Sequence, residues 1–320
     1  MDRRTTLAGL GAALLVPLAA RAQPAWPSRP IRIIVGFSPG GAVDEMARTL
    51  ADRLAPRLGQ ALVVENKPGA ASTLAADFVA NAPADGHVLL LSGTSTLIAR
   101  HMQGRASADV TRFTPVAGIA GSPMAIVAHP AFPARDPEGF VREIKARPGK
   151  YFYATSGVGT LHNLSMEMLK KQLGLDVDHV PYKGASAIMP DLLSGQMPLA
   201  VISASAAEEH AKAGKLRVIA LLHSGGWAGE PSWRSVSEVA PGFNVMSRLF
   251  LLGPAGLPPA IVARLDGELA QALKTPEVLR SFASQGAVPQ HASAAALAAE
   301  LARENENWSQ VVKSLGLKTG

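Results

Sequence analysis

The chain alternates short apolar runs with amphipathic stretches. Ile31–Phe37 (IRIIVGF) is a β-branched apolar run of the kind that makes a buried strand. Ser38-Pro39-Gly40-Gly41 breaks it, and Val43, Met46, Leu50 and Leu54 then recur at helical spacing on one face. Leu62–Glu65 predicts a second strand, Asn66-Lys67-Pro68-Gly69 a turn, residues 72–81 a helix, and Val88–Leu91 a third strand ending in Ser92-Gly93-Thr94-Ser95-Thr96. Strands alternating with helices predict a parallel sheet with helices on both faces.

A second unit of the same kind follows. Strands are predicted at Met124–Ala128, Phe152–Thr155, Val177–Val180, Leu199–Ser203 and Val218–Leu222. Helices fall at 136–146, from about Thr160 to Leu173, at Ala185–Ser194 and at Ala206–Ala213. The C-terminal part holds a strand at Arg248–Leu252 and helices near 259–274, 276–285 and 292–314. Pro258-Pro259 and Pro276 suit first helical turns, where the missing N–H costs nothing.

The 320 residues suggest two domains at about 100–200 residues each. With 48% hydrophobic and 18% charged residues, a packed globular protein is expected rather than a disordered one. Cysteine is absent, which removes disulfides, thiol nucleophiles and Cys-ligated metals together. The formal charge of +6 is scattered, without a basic block, so no nucleic-acid partner is expected.

Residues 1–22 look like an address rather than structure. Arg3-Arg4 precedes an apolar run from Leu7 to Ala20, and Ala20-Arg21-Ala22 fits a small-x-small cleavage site. The run is short for a transmembrane helix, which needs about 20 residues. A cleavable signal peptide and a periplasmic location are expected; the arginine pair suits twin-arginine export or an ordinary basic head equally.

Four loops that follow strands carry the candidate chemistry. Phe37–Asp44 (FSPGGAVD) enters a helix through two glycines, where free N–H groups and the helix dipole suit a carboxylate. Ser156-Gly157-Val158-Gly159-Thr160-Leu161-His162 repeats the idea in the second unit. Thr94 and Ser95 end the third strand, and Ser203-Ala204-Ser205 ends a strand of the second unit; these hydroxyls either donate to a ligand or cap the next helix. Ligands of open parallel sheets sit at the carboxyl ends of strands, so the convergence of the four loops carries more than any one of them. His162 has three readings: ligand contact, catalytic base, or structural residue of a first helical turn. Ser156 and His162 allow a small hydrolase as a rival, yet no G-x-S-x-G, H-x-x-x-H or H-E-x-x-H is present, so no catalytic residue, metal or cofactor is expected.

These motifs bring a resemblance with them. W-P-S-R-P-I-R-I-I-V-G-F-S-P-G-G-A-V-D (26–44), V-V-E-N-K-P-G-A (63–70), A-D-G-H-V-L-L-L (84–91), A-T-S-G-V-G-T-L-H (154–162), H-V-P-Y-K-G (179–184), D-L-L-S-G-Q (191–196) and L-L-G-P-A-G-L-P (251–258) resemble the Bug family, the TctC-like periplasmic receptors of tripartite tricarboxylate transporters. The resemblance implies an α/β, two-lobed, type II periplasmic-binding-protein fold, each lobe a mostly parallel sheet flanked by helices. It implies a discontinuous lobe 1 (26–124 plus 245–320) and a lobe 2 (125–244). It implies a venus-flytrap receptor, not an enzyme, that holds a small carboxylate and delivers it to membrane permease subunits; a partner of a sensor kinase would share the same site. A monomer is expected. Carried over by motif, the ligand contacts fall on Phe37, Gly40, Gly41, Thr94, Ser95, Ser156, Gly157, Gly159, Thr160 and His162, with Ser203 and Ser205 added from the loop reading. Asp44 is expected to stabilise its helix end. Where many relatives carry an Asp, this chain has Ile202-Ser203-Ala204-Ser205, which disfavours an acidic amino acid as ligand. Arg100 is read either as a second carboxylate anchor or as a surface residue.

Overall fold

The computed structural model describes residues 26–69, 72–103, 109, 112–183, 185–314 and 316; the expected leader, residues 1–22, lies outside them. In chain order the elements are β1 (Ile31–Val35), α1 (Ala42–Leu58), β2 (Leu62–Asn66), α2 (Thr73–Ala80), β3 (Val88–Gly93), α3 (Thr94–Gln103), β4 (Phe113–Ser122), β5 (Met124–Ala128), α4 (Pro137–Ala146), β6 (Phe152–Thr155), α5 (Leu161–Leu173), β7 (Asp178–Pro181), α6 (Ala185–Ser194), β8 (Leu199–Ser203), α7 (Ala204–Lys212), β9 (Arg217–Leu221), β10 (Ser247–Pro254), α8 (Pro259–Ala272), α9 (Pro276–Ser284), β11 (Val288–Ala292) and α10 (Ala294–Ser314).

Two sheets result, ordered β11-β4-β10-β3-β1-β2 and β7-β6-β8-β5-β9. The expectation of mostly parallel sheets holds at one end of each. β1 pairs in parallel with β2 and β3, and β6 with β7 and β8. β10 is antiparallel to β3 and β4, β11 to β4, and β5 to β8 and β9. The cause is the route of the chain. β4 runs straight into β5 through Pro123, and β10 returns to the first sheet after β9. Of these crossing strands, β10 and β5 run against the strand–helix–strand units beside them, while β4, antiparallel to β10 and β11, keeps the direction of β1, β2 and β3.

The two crossings lie side by side and are bonded to each other. Leu222 N–H donates to Met124 O at 2.9 Å, and Val245 N–H donates to Leu222 O at 2.7 Å. β1 and β3 are apolar because both faces are covered. One face packs on α1, α8 and α9 through residues such as Ile33, Leu50, Leu265 and Phe282. The other contributes Ile34, Leu90 and Leu252, with Trp308 of α10, to a core that runs on without a break to Ile126, Tyr153 and Leu164 around the second sheet. The far face of the second sheet packs Ile188, Leu192 and Trp227.

β4 and β11 are absent from the sequence pattern. β4 carries Pro115 and two glycines, and β11 carries Pro289. A Cβ added at Gly118 would lie 2.8 Å from Ala292 Cβ, and one at Gly121 would lie 2.6 Å from Met246. The glycines are there to let neighbours close in, which breaks the alternation that marks a strand.

Leu90 sits fully buried on the central strand of the first sheet. Leu90→Ala is expected to lower unfolding stability by about 2–5 kcal/mol in urea titrations, because the rigid sheet cannot collapse onto the cavity.

Candidate functional site

Four strands of the parallel halves, β1, β3, β6 and β8, end in loops that open helices α1, α3, α5 and α7. Three of these loops meet at the boundary between the sheets; the fourth is diverted.

The loop after β1 is closed on itself. Gly40 N–H donates to Asp44 Oδ2 at 2.9 Å, Arg48 Nε donates to the same oxygen at 3.0 Å, and Asn66 Nδ2 donates to Asp44 Oδ1 at 2.9 Å and to Phe37 O at 3.0 Å. Burial penalises the Asp44 charge, but the hydrogen bonds from Arg48, Gly40 and Asn66 outweigh it and hold the carboxyl below its usual range. Asp44 is therefore the anion that occupies this helix N-terminus, and it anchors that end as expected. Gly40 and Gly41 are exposed, and neither lines the cavities described below.

The loop after β3 passes directly into α3. Thr94 is buried and its hydroxyl oxygen accepts from Arg248 N–H at 3.0 Å, which ties the end of β3 to β10. Ser95, Ile98, Ala99 and Met102 follow at i, i+3, i+4 and i+7 and so share one face of α3. That face lines the cleft. Arg100 is on another face, where it donates to Asp109 Oδ2 at 2.7 Å and Asn305 Oδ1 at 3.0 Å. It sits in a half-buried ion pair with Asp109, outside the cleft.

The loop after β6 is the most heavily braced. Gly157 and Gly159 take φ values of 134° and 73°, which L side chains resist. Thr160 caps α5: its hydroxyl donates to Gly157 O at 2.8 Å and accepts from Asn163 N–H at 3.3 Å. Gly159 N–H donates to Asn163 Oδ1 at 3.0 Å, and Asn163 Nδ2 donates to Tyr153 OH at 3.2 Å. Tyr153, buried in the core, in turn donates to Glu167. Thr155 Oγ1 bonds His179 Nε2 at 2.7 Å.

Ser156 Oγ lies 3.1 Å from His162 Nδ1. Loss of hydration pushes the His162 imidazole down to about 4, so it is neutral at pH 7 and offers a single N–H. Such a ring is a poor proton acceptor at that pH, and among the described residues no Asp or Glu lines the cavity to orient it.

The loop after β8 goes elsewhere. Ser203 Oγ accepts from Ala206 N–H and from Ser205 Oγ, both at 3.3 Å, so the pair caps α7. Ala204 N–H donates to Pro123 O at 2.9 Å, which holds this loop against the first chain crossing. Ser205 packs on Gly286, where an added Cβ would lie 2.0 Å from its hydroxyl. Ser203 and Ser205, expected as contacts, are engaged in the α7 cap and do not line this cavity.

The cleft is a cavity of about 460 Å³ between the α3 face and the Ser156–His162 turn, with Ser247 of β10 at its base. It gathers Ser95, Ser156, Gly159, Thr160 and His162 from the expected set; Gly157 shapes the turn without lining it. Phe37 and Thr94 line a smaller recess of about 70 Å³ that shares Ser95 and Ser247 with the cleft. The two units touch at the rim, where a Cβ on Gly159 would lie 2.3 Å from Met102 Cε. Cavities of about 520 Å³ between α5 and α10 and about 560 Å³ beside Phe78 are larger, but they lie away from the strand ends. Ile98, Ala99, Met102 and Ser247 are cleft residues that loop motifs did not announce, and Val158 and Leu161 line it from inside the Ser156–His162 motif without having been singled out. The four-residue stripe on α3 was the available signal. Among the described residues no cluster of three His, Asp or Glu side chains could hold a metal.

Two sheets joined by paired crossings, with a cavity between helix starts at their strand ends, define a two-lobed solute-binding architecture. Residues 46–317 match the profile of the tripartite tricarboxylate transporter family receptor, TctC, and the chain belongs to that family. It is 32% identical over 297 residues to BugT of Bordetella pertussis, covering 92% of this chain and 91% of that protein. It is 30% identical over 317 residues to a protein from the tcbD–tcbE intergenic region of Pseudomonas sp. strain P51, covering 98% and 94%. A TctC solute-binding protein from Polaromonas, solved without ligand, superposes with a TM-score of 0.85 at 24% identity, covering 90% of this chain and 99% of that one. MatC of Rhodopseudomonas palustris with bound malate gives 0.68 at 29% identity, covering 89% and 99%. An R. palustris protein with adipate gives 0.71 at 28% identity, covering 92% and 99%.

Asn163→Ala strips the Gly159 N–H of its acceptor inside the protein. The expected loss is about 1–3 kcal/mol in chemical denaturation. The pH dependence follows from His162. Its folded pKa lies below the unfolded value of 6.5, so the unfolded chain binds more protons in the interval between them. Stability is full above pH 6.5 and falls as pH drops towards 4, by about 2–3 kcal/mol for this group. Burial lowers His101, His179 and His223 as well, and they add to the same slope. Melting curves from pH 7 to 4 should show the fall, and His162→Gln should flatten it.

Proposed function

We propose that the protein is an extracytoplasmic receptor that captures a small carboxylate in the cleft between α3 and the Ser156–His162 turn and closes over it by hinge motion. The observation that carries this reading is the cleft itself. Hydroxyls of Ser95, Ser156 and Ser247, a neutral His162 and two helix starts face one concavity shared by both sheets. That is a set of hydrogen-bond donors without a nucleophile–base–acid arrangement, which suits holding an anion and not transforming it. The adipate- and malate-bound relatives support a carboxylate as the ligand class.

The contacts are assigned to Phe37, Thr94, Ser95, Ser156, Gly159, Thr160 and His162, with Gly40, Gly41 and Gly157 shaping the loops. The moving bodies are residues 26–124 plus 245–320 and residues 125–244, swinging about the paired crossings. The closed form docks on permease subunits of a tripartite transporter. The leader pattern of residues 1–22 and the periplasmic relatives support export; among the described residues no helix is long and apolar enough to cross a membrane.

A carboxylate ligand at about 100 times its Kd should raise the stability of the mature chain by about 2.7 kcal/mol, visible as a rise in melting temperature. Ser156→Asp places a like charge in the cleft and should abolish that rise while leaving the unliganded melting temperature near that of the parent. A melting temperature unmoved by a broad panel of carboxylates would refute the assignment.

A further inference from the structure

We propose that His179 is a positioning residue for the cleft: its neutral ring carries the proton on Nε2, donates it to Thr155 Oγ1, and so fixes the hydroxyl that clamps Gly157 in the turn beside Ser156. This rests on the reading of that turn as the binding turn and says what holds it in place.

The segments H-V-P-Y-K-G (179–184) and D-L-L-S-G-Q (191–196) line neither the cleft nor its recess, yet both reach the turn from behind. Tyr182 N–H donates to Thr155 O at 2.9 Å. Tyr182 O stands 3.7 Å from the point where a Cβ on Gly157 would lie. Tyr182 OH in turn donates to Asp191 Oδ2 at 2.5 Å, which ties the first segment to the start of the second. His179 is placed by the parallel pairing of β7 with β6, opposite Tyr153 and two residues short of Thr155. Its ring lies against that of Tyr153, with centroids 5.0 Å apart.

The hydrogen inventory at Thr155 selects the tautomer. Thr155 is fully buried. Its Oγ1 is 2.7 Å from His179 Nε2, 3.2 Å from Gly157 O and 3.3 Å from Gly157 N. A hydroxyl has one proton and two lone pairs. Gly157 N–H takes one lone pair. A proton on His179 Nε2 takes the other, and the hydroxyl proton is then free for Gly157 O. One oxygen thereby holds both backbone groups of Gly157. With the ring proton on Nδ1, the hydroxyl would have to donate to Nε2 instead. The Gly157 carbonyl would lose that donor and keep Thr160 Oγ1.

The ring's electrostatic surroundings agree. Loss of hydration holds His179 below its ordinary value, with Lys170 adding to the effect and Glu167 opposing it, both from α5. The ring is therefore neutral at pH 7.5, has a single N–H, and its tautomer is set by the bond that N–H makes. Tyr153, opposite on β6, sends its hydroxyl to Glu167 and leaves the ring to Thr155. The consequence falls on the cleft. Gly157 takes φ 134°, a state in which L side chains are strained, and its N–H is turned inward to Thr155. That fixes the peptide after Ser156, whose Oγ lies 3.1 Å from His162 Nδ1.

Proton–nitrogen NMR of the histidine rings, with amide exchange at Gly157, tests this on the mature chain at pH 7.5 without any ligand. His179 is expected as the Nε2–H tautomer. Thr155→Val should speed exchange at Gly157 by at least about tenfold and shift the His162 ring nitrogens, since the amide loses its acceptor. Thr155→Ser, which keeps the hydroxyl, should restore both. His179→Phe should move both readouts in the same direction as Thr155→Val, and His179→Gln, which keeps a donor, should bring them back. An Nδ1–H tautomer in the parent would overturn the inference, as would a Thr155→Ser chain that behaves like Thr155→Val. Gly157 exchange and His162 shifts unchanged in His179→Phe would reduce the ring to packing and overturn it too. Should His179→Phe not fold, the parent tautomer and the Thr155 pair still decide. Failure of every carboxylate to bind would refute the receptor reading and leave these outcomes as they are.

Discussion

The rest of the structure depends on one constraint: the chain passes between its two sheets twice, at points bonded to each other. Leu222 bridges Met124 and Val245, so the outgoing and returning segments form a single narrow junction. Because β4 leaves and β10 returns through that junction, β10 must run antiparallel to both β4 and β3, and β5, leaving the same junction, runs antiparallel to β8. The parallel halves of both sheets then point their carboxyl ends at the same gap. The cleft, the helix starts that edge it and the diversion of the β8 loop against Pro123 all follow from that geometry.

Within the gap, the chain has already used much of its own polarity. Asp44 neutralises the start of α1, Thr160 caps α5, and Asn163 takes up the Gly159 amide. What remains facing the cleft is modest: a few hydroxyls and a neutral imidazole beside an apolar stripe. The turn carrying Ser156 and Val158 is held rigidly, tied through Asn163 and Tyr153 to the core.

Much of this was legible in the sequence, and for definite reasons. β1, β3, β6 and β8 are apolar runs closed by small residues, and their loops carry the glycines and hydroxyls that mark helix starts. β4 and β11 were not legible, because Gly118 and Gly121 serve close packing against Ala292 and Met246 and so conceal the strand. Ser203 and Ser205 look like site residues for the same reason that they cap α7: a hydroxyl at a helix start reads alike in either role. Arg100 carries the chemistry of an anchor but the wrong helical phase, five residues on from Ser95 and turned towards Asp109. The apolar stripe of α3 was present in the spacing all along; what the sequence lacked was the opposing wall that gives it meaning.

The most direct test of the account is a crystal structure of the mature chain grown with the carboxylate that binds it best. The account predicts one ligand between the α3 face and the Ser156–His162 turn, its carboxylate held by Ser95, Ser156 or His162. A ligand bound at saturation anywhere else, with the cleft filled only by water, would contradict it.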